Sequence, residues 1–217
     1  MYATHQIAKY SSDPRQSHGE AILYLVRYLK KTRDLGLKFK PDSKKGFECY
    51  CDADFSGNWN KAFAPTDPST AKSRSGWIVF YSGCPVCWAS KLQSQVALST
   101  TEAEYIALSQ SMREVIPLFL ALVKEAKEKK LPVDVFSPTI HCRLFEDNSG
   151  AIEIAKVPKM RPRTKHLNIK YHHFRSFVQD GSVSVHHVGT ENQIADMFTK
   201  PLNMELFQRH RKALLGW

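Results

Sequence analysis

The chain has 217 residues, of which 42% are hydrophobic and 24% are charged, and its mean hydropathy is −0.38. This composition excludes an intrinsically disordered chain, and the length suffices for one well-packed domain with an appendage or for two small domains. The sequence shows no run close to the ~18 apolar residues of a membrane span, and its N-terminus lacks the pattern of a secretory signal. We therefore expect an intracellular protein, cytoplasmic or nuclear, that is not secreted and has no membrane partner.

The charge balance indicates a polyanionic partner. Lys and Arg number 31 against 21 Asp and Glu, which gives a formal net charge of +10. A folded chain this basic often binds nucleic acid. A solvated basic surface would give the same balance, so charge alone does not decide.

Five cysteines, an odd number without a secretion signal, indicate reduced thiols. Cys49 and Cys51 could form a four-thiolate zinc site with Cys84 and Cys87. However, the first pair lies in an apparent strand and the second spans a Pro turn. These positions favour buried, small apolar side chains over zinc ligands.

The first forty-five residues predict a helix followed by a linker. Apolar residues recur at helical spacing between Ile22 and Leu29, and Ser17 with Glu20 has the spacing of a capping box. The polar segment Pro41–Gly46 then predicts a linker and the best domain boundary.

Beyond the linker, the pattern predicts five strands interleaved with helices, in the order β-β-β-α-β-α-α-β-α with a final helix. The long helix is expected to bend or break at Pro117. The second and third strands are expected to join at Gly83-Cys84-Pro85. The expected strands are 47–52, 75–82, 86–92, 139–146 and 182–188, and the expected helices are about 101–130, 151–157, one ending near 180, 192–200 and 202–215.

Four acids recur at the ends of these elements. Asp52 ends the first strand, Glu104 lies near the start of the long helix, Asp147 follows the fourth strand, and Asp196 lies in the helix after the fifth. Carboxylates brought together from different elements repel one another unless cations bind between them. Such a cluster suits hard cations such as Mg²⁺, and two Mg²⁺ ions can assist chemistry on phosphates.

Each acid also has an ordinary structural explanation. An acid after a strand can form a turn, and an acid at a helix start can cap that helix or interact with its dipole. Glu104 could form a capping box with Thr101, as Glu102 could with Ser99. Spacing alone leaves both explanations open.

The local sequences around these acids are distinctive. They resemble, in order, the ribonuclease H region at the C-terminal end of the Pol polyprotein of copia-type LTR retrotransposons. The resemblance covers essentially the whole chain. The segments that carry it are Tyr50–Asp54, Leu98–Leu108, Phe145–Asn148 and Glu191–Leu202, supported by Ser73–Trp77, Trp88–Gln93 and Thr164–His172.

The resemblance implies an α/β, ribonuclease H-like fold with a five-stranded mixed sheet flanked by helices. It also implies endonucleolytic cleavage of RNA in RNA–DNA hybrids. Asp52, Glu104, Asp147 and Asp196 match the four acids that hold two Mg²⁺ ions in the family, with Mn²⁺ able to substitute. Glu104 fits better than Glu102, because the catalytic Glu of the family begins a Glu-x-x-Ala-like turn.

The resemblance also suggests a catalytic role for His187. Ribonucleases H commonly carry a mobile His shortly before the fourth acid, and an imidazole there could shuttle a proton or help product leave. An exposed His at a strand end is the alternative. The adjacent His186 faces the opposite way, so only one of them can serve.

Substrate contacts are expected from polar residues near the acids and from the densest basic stretch. Asp54 shares a strand face with Asp52, and Asn148 lies beside Asp147, where it could bind a sugar or phosphate. The hybrid would be held through its backbone and its 2′-hydroxyls. The expected phosphate-binding residues are Arg161, Arg163, Lys165 and Lys170.

The resemblance divides the chain at 45 and at 200. Residues 1–45 resemble the thumb or connection of a reverse transcriptase, 46–200 the ribonuclease H, and 201–217 the polyprotein's helical tail. No Tyr-x-Asp-Asp polymerase motif occurs, so the missing polymerase region is an expected partner, and a retrotransposon particle in the cytoplasm is an expected location. The alternatives are a catalytically silent remnant that binds nucleic acid or docks to the polymerase and, more remotely, an integrase-like site.

Overall fold

A mixed five-stranded sheet organises the fold. In this computed structural model, which describes residues 1–42, 44–62, 64–130, 142–157 and 169–216, the strand order is β3-β2-β1-β4-β5. The first three strands pair antiparallel, whereas β4 runs parallel to β1, and β5 runs parallel to β4. The strands are β1 (Phe47–Asp54), β2 (Arg74–Tyr81), β3 (Cys84–Leu92), β4 (Cys142–Glu146) and β5 (Val183–His187).

Helices flank this sheet, which confirms the predicted α/β fold with a five-stranded mixed sheet. The helices are α1 (Tyr2–Ala8), α2 (Gln16–Lys31), α3 (Thr100–Glu128), α4 (Ser149–Lys156), α5 (Arg175–Gln179), α6 (Asp196–Thr199) and α7 (Met204–Leu215). Helix α1 was not predicted from the sequence. The predicted helix 192–200 is shorter than expected, because a 3₁₀ turn over Thr190–Asn192 precedes α6.

The two faces of the sheet carry different cores. Side chains alternate along a strand, so Cys49 and Cys51 of β1 face the main core with α3, α4 and α5. Tyr50 packs on the opposite face, against a smaller cluster that includes Phe80 and Phe198. The same alternation places Asp52 on the face of β1 that α6 covers.

The β2–β3 hairpin turns one residue earlier than predicted. Ser82 and Gly83 both have positive φ, 51° and 75°, as a two-residue type I′ turn requires. Cys84 and Pro85 belong to β3 instead, so the predicted turn at Gly83-Cys84-Pro85 is wrong. A type I′ turn matches the right-handed twist of the flanking strands, so Ser82 and Gly83 form the tight turn of this hairpin.

Helix α3 is continuous through Pro117, contrary to the predicted bend or interruption. Pro117 is exposed, so the carbonyl that loses its helical hydrogen bond can face water, while Val115, Ile116 and Phe119 remain buried in the core. By length and composition, α3 could cross a membrane, which the sequence analysis did not anticipate. Half of its most apolar stretch is buried inside the fold, as is typical of a core helix.

Helix α2 confirms the predicted N-terminal helix but not its cap. The helix begins at Gln16, and the backbone N–H of Arg15 donates to Nδ1 of His18 at 3.0 Å, so the capping box predicted at Ser17 and Glu20 is wrong. No residue of α2 is buried. Most of its apolar side chains are exposed, including Leu23, whereas Leu25 and Tyr28 are half-buried.

The two ends of the chain contact each other. The ring of Tyr28 in α2 meets that of Phe207 in α7 edge-on, with 5.8 Å between centroids. The backbone N–H of Lys38 donates to the carbonyl of Leu215 at 2.8 Å. The N-terminal appendage therefore packs on the final helix. The predicted boundaries at 45 and 200 stay a prediction.

Gly76 lets α6 lie directly on the sheet. A Cβ built at Gly76 would lie 2.7 Å from Cβ of Phe198 and 2.7 Å from Cγ2 of Thr199. Gly76 is also the β2 partner of Asp52 in the strand register. The absence of a side chain here sets the distance between α6 and the end of β1.

We predict that Gly76→Ala lowers the free energy of unfolding by about 1–3 kcal/mol, because the added methyl group overpacks the contact with α6. Urea denaturation followed by circular dichroism measures this change. Gly19→Ala is the matched control, because nothing lies within 4 Å of a Cβ there. It should leave stability unchanged or raise it by up to ~1 kcal/mol. Equal stabilities of the two variants would contradict the close approach of α6.

Candidate metal centre

Three of the predicted acids converge at one end of the sheet. Asp52 lies near the end of β1, Asp147 directly follows β4, and Glu104 lies in the second turn of α3. Each offers an oxygen, and these oxygens all lie within 4.8 Å of one another. Because β1 and β4 are parallel neighbours, their carboxyl ends meet at the same edge, where α3 also begins.

Close packing between helix starts holds this arrangement. A Cβ at Gly150 in α4 would lie 3.0 Å from the side chain of Thr101 in α3. Asn148 caps α4 by accepting the N–H of Ala151 at 3.0 Å. The first turns of α3 and α4 therefore lie side by side, which brings Glu104 and Asp147 together.

The start of α3 also separates the two candidate glutamates. The hydroxyl of Ser99 accepts the backbone N–H of Glu102 at 3.1 Å, and the Glu102 carboxylate accepts the N–H of Leu98 at 2.8 Å. Glu102 is thus engaged in the helix cap, as expected. Glu104 points inward and is 7% exposed.

Asp196, the fourth predicted acid, reaches the cluster through Asp52. It is buried at the start of α6, where burial and the neighbouring charge of Asp52 raise the pKa of its carboxyl. The ammonium of Lys200 lies 2.9 Å from Oδ1 of Asp196 and 3.6 Å from Oδ1 of Asp52. The hydroxyl of Thr199 donates to the other oxygen of Asp52. The roles of all four acids stay a prediction.

Glu146 is a fifth buried acid, which the sequence analysis missed. It is fully buried, accepts the N–H of Asn148 at 3.0 Å, and accepts the thiol of Cys51 at 3.4 Å. Its charge is the largest electrostatic contribution to the raised pKa of Glu104 after burial. The two-residue period of β4 offered a signal, because it places Glu146 on the core face with Leu144.

Sequence analysis also missed Lys200, Thr199 and Thr190. Asp196 and Lys200 are four residues apart, the spacing of a helical ion pair, so the sequence did contain that signal. The hydroxyl of Thr190 donates to Oδ2 of Asp147 at 3.1 Å. No local pattern singles out this contact, because it depends on where the loop after β5 lies.

Burial raises the pKa of each buried acid in the cluster. Desolvation is the main cause for Glu104 and Glu146, and it raises the pKa of Asp196 to about 7. The pKa of Asp52 is also raised by burial, although the Lys200 ammonium and the Thr199 hydroxyl oppose the shift. Ionising this cluster is therefore unfavourable without more positive charge.

The residues fit a hard divalent cation. Oε2 of Glu104 is buried and has no hydrogen-bond partner among the described residues. The converging donors are all carboxylate oxygens, which Mg²⁺ and Mn²⁺ prefer over softer ligands. The Glu104 oxygen is thus a ligand atom that the protein itself leaves unused.

The other predicted site residues lie at varying distances from the acids. Asp54 ends β1 and packs against the backbone of Gly57, and burial raises the pKa of its carboxyl. The amide oxygen of Asn148 accepts the backbone N–H of Ala151 and so caps α4. His187 is exposed at the end of β5, opposite Glu146 in the register. The basic residues lie outside the described part of the chain: Arg161, Arg163, Lys165 and the side chain of Lys170.

The cysteines do not form a thiolate cluster within the described residues. All five are free, and only Cys87 is partly exposed. Desolvation raises the pKa of Cys49 and Cys51 well above the usual value, which favours the neutral thiol over a metal-binding thiolate. These cysteines behave as small apolar core residues, as the sequence favoured.

Comparison with curated proteins finds relatives along almost the entire chain. It is 32% identical over 213 residues to the Retrovirus-related Pol polyprotein from transposon RE2 of Arabidopsis thaliana, covering 98% of this chain and 13% of that protein. The chain is homologous to a segment of copia-type Pol polyproteins. A second Pol polyprotein, from transposon TNT 1-94 of Nicotiana tabacum, is 33% identical over 207 residues, covering 95% of this chain and 14% of that protein.

The chain thus spans only 13–14% of the length of these two relatives. Among solved structures, LC11-RNase H1, isolated from compost, matches with 15% identity and a TM-score of 0.47, covering 71% of this chain and 93% of that chain. No model of a known protein family matches the sequence.

We predict that the metal-free protein loses stability as pH rises, and that Glu104→Gln reduces this loss. An acid whose pKa is raised by folding binds its proton more tightly in the folded state. The free energy of unfolding should therefore fall from the unfolded pKa of ~4 upward, through the value of about 7 for Asp196. Urea denaturation in EDTA at pH 5 and pH 8 measures the difference.

The Gln variant should lose at least ~1 kcal/mol less than wild type over this interval, since one pKa unit corresponds to ~1.4 kcal/mol. Glu205→Gln, at an exposed position in the first turn of α7, is the control and should match wild type. The same pH dependence of stability in wild type and Glu104→Gln would show that burial does not raise the pKa of Glu104.

Proposed function

We propose that the chain is the ribonuclease H of a copia-type retrotransposon Pol polyprotein and cleaves the RNA strand of RNA–DNA hybrids endonucleolytically. One observation carries the proposal: oxygens of Asp52, Glu104 and Asp147 lie within 4.8 Å of one another in a chain homologous to Pol polyproteins. The ribonuclease H-like fold supports it, because each acid stands on a rigid strand end or helix start.

In this proposal, Asp52, Glu104 and Asp147 would hold one Mg²⁺, and Asp52 with Asp196 would hold a second. Bound Mg²⁺ supplies a more acidic water and stabilises negative charge on phosphate oxygens, and Mn²⁺ could replace it. The protein orients the ligands: the hydroxyl of Thr199 fixes one oxygen of Asp52, and that of Thr190 fixes one oxygen of Asp147.

The other expected residues would act on the substrate. His187, at the exposed end of β5, would move a proton or help product leave. Asp54 and Asn148 would contact the hybrid next to the acids. The net charge of +10 favours binding of the phosphate backbone. The phosphate-binding residues proposed are Arg161, Arg163, Lys165 and Lys170.

The cellular setting follows from the same proposal. A polyprotein that acts on RNA–DNA hybrids would work inside the cell, in the cytoplasm within a retrotransposon particle, or in the nucleus. The polymerase region of the same polyprotein would be its partner, and no membrane is required.

A second candidate function is docking or binding without catalysis. Helix α2 supports docking, since its apolar residues Ile22, Val26 and Leu29 are about half exposed. A polymerase region could cover this face. A catalytically silent remnant would bind hybrids in a salt-sensitive manner without turnover, so hydrolysis separates the two candidates.

We predict that Asp147→Asn reduces hydrolysis of a labelled RNA–DNA hybrid at least 100-fold in Mg²⁺, because it removes a charged ligand while keeping the side-chain shape. Asp147 is partly exposed, so the variant should fold. Gel electrophoresis of the cleaved RNA strand measures the rate, and EDTA should abolish it in the wild type.

Asp180→Asn serves as the matched control, because Asp180 is exposed at the end of α5, and it should cleave at the wild-type rate. Hybrid binding by Asp147→Asn should remain within about threefold of wild type. Equal, negligible cleavage by wild type and Asp147→Asn would sink the catalytic proposal and leave the binding candidate.

A further inference from the structure

Lys200 places a positive charge at one side of the acidic cluster. Its ammonium lies 2.9 Å from Oδ1 of Asp196 and 3.6 Å from Oδ1 of Asp52, and its side chain is 32% exposed. An ordinary helical i,i+4 pair is solvated and contributes little. Here both carboxylates are buried, with side-chain exposures of 1% and 2%, so the pair is not of that kind.

The backbone around Lys200 is held in place. Helix α6 lies on Gly76, the hydroxyl of Ser90 donates to the carbonyl of Phe198, and the hydroxyl of Thr199 donates to Asp52. The Lys200 N–H donates to the carbonyl of Asp196 at 3.1 Å. A side chain that begins at this anchored point can keep its ammonium between the two carboxylates.

The two sides of the cluster therefore differ in charge compensation. Asp52 and Asp196 share the Lys200 ammonium. Within the described residues, no ion pair joins Glu104 or Asp147 to a Lys or Arg side chain, and Oε2 of Glu104 has no hydrogen-bond partner. One side thus has a cation in ion-pair contact, whereas the other offers carboxylates that no described Lys or Arg side chain contacts.

We propose that the Lys200 ammonium acts as a resident cation that makes divalent ions bind in order. The first ion binds at Asp52, Glu104 and Asp147. The second, at Asp52 and Asp196, binds only after the ammonium leaves, because an ion ligated at ~2.1 Å would compete with Lys200 for the same oxygens and repel its charge. This inference rests on the proposed metal site of the ribonuclease H.

Titration with Mn²⁺ tests the order, with free Mn²⁺ measured by electron paramagnetic resonance. The wild type should show one site, with a second at least ten times weaker. Lys200→Met keeps the apolar stem without the charge, and it should tighten the second site at least tenfold while changing the first less than threefold. Lys200→Arg should behave as wild type. Lys91→Met, which removes an exposed lysine paired with Glu114, is the matched control.

Mg²⁺ titration of the wild type provides a second test that needs no variant. The nuclear magnetic resonance signal of the Lys200 ε-methylene group should shift only slightly during the first binding phase, because Asp52 is shared, and should make its main shift in the second phase, when the ammonium leaves. A main shift in the first phase, or none in either, would overturn the inference. So would two equal Mn²⁺ sites in the wild type, or an unchanged second site in Lys200→Met.

Failure of this inference can be told apart from failure of the proposed function. Ordered Mn²⁺ binding with no hydrolysis would overturn the ribonuclease activity and leave the role of Lys200 supported. Hydrolysis by a protein with two equal Mn²⁺ sites would support the ribonuclease activity and overturn the role of Lys200. Absence of any Mn²⁺ binding in wild type and in Lys200→Met would overturn the inference together with the metal site.

Discussion

The cost of burying several carboxyl groups close together is the constraint on which the centre of this fold depends. Asp52, Glu104 and Glu146 are nearly excluded from solvent, and their pKa values are raised chiefly by that burial. A protein selected for stability alone would place apolar side chains there. The parallel pairing of β1 and β4 instead brings the acids together at one edge, where a cation would relieve the repulsion.

Helix α6 extends this arrangement across the sheet. Its close approach at Gly76 lets Thr199 and Lys200 reach Asp52 from the face opposite α3. Asp52 thus has the Glu104 carboxylate within 4.8 Å on one face and is contacted by residues of α6 on the other. This shared position makes Asp52 the residue through which the two halves of the cluster influence each other.

Much of the fold could be predicted from the sequence, because hydrophobic periodicity and local motifs are short-range signals. They located the five strands, α3, and the acids Asp52, Glu104 and Asp147. The hairpin turn and the continuity of α3 were predicted wrongly, since they depend on strand twist and on the exposure of Pro117. Thr190 could not be found, because its contact with Asp147 joins residues 43 positions apart.

The contact between α2 and α7 has a consequence for how the chain can be shortened. Tyr28 packs on Phe207, and the backbone of Lys38 is hydrogen-bonded to that of Leu215. The N-terminal and C-terminal segments therefore stabilise each other. Deleting α2 would expose the ring of Phe207, and deleting α7 would expose the ring of Tyr28. A shortened form of the chain should therefore lack both segments or keep both.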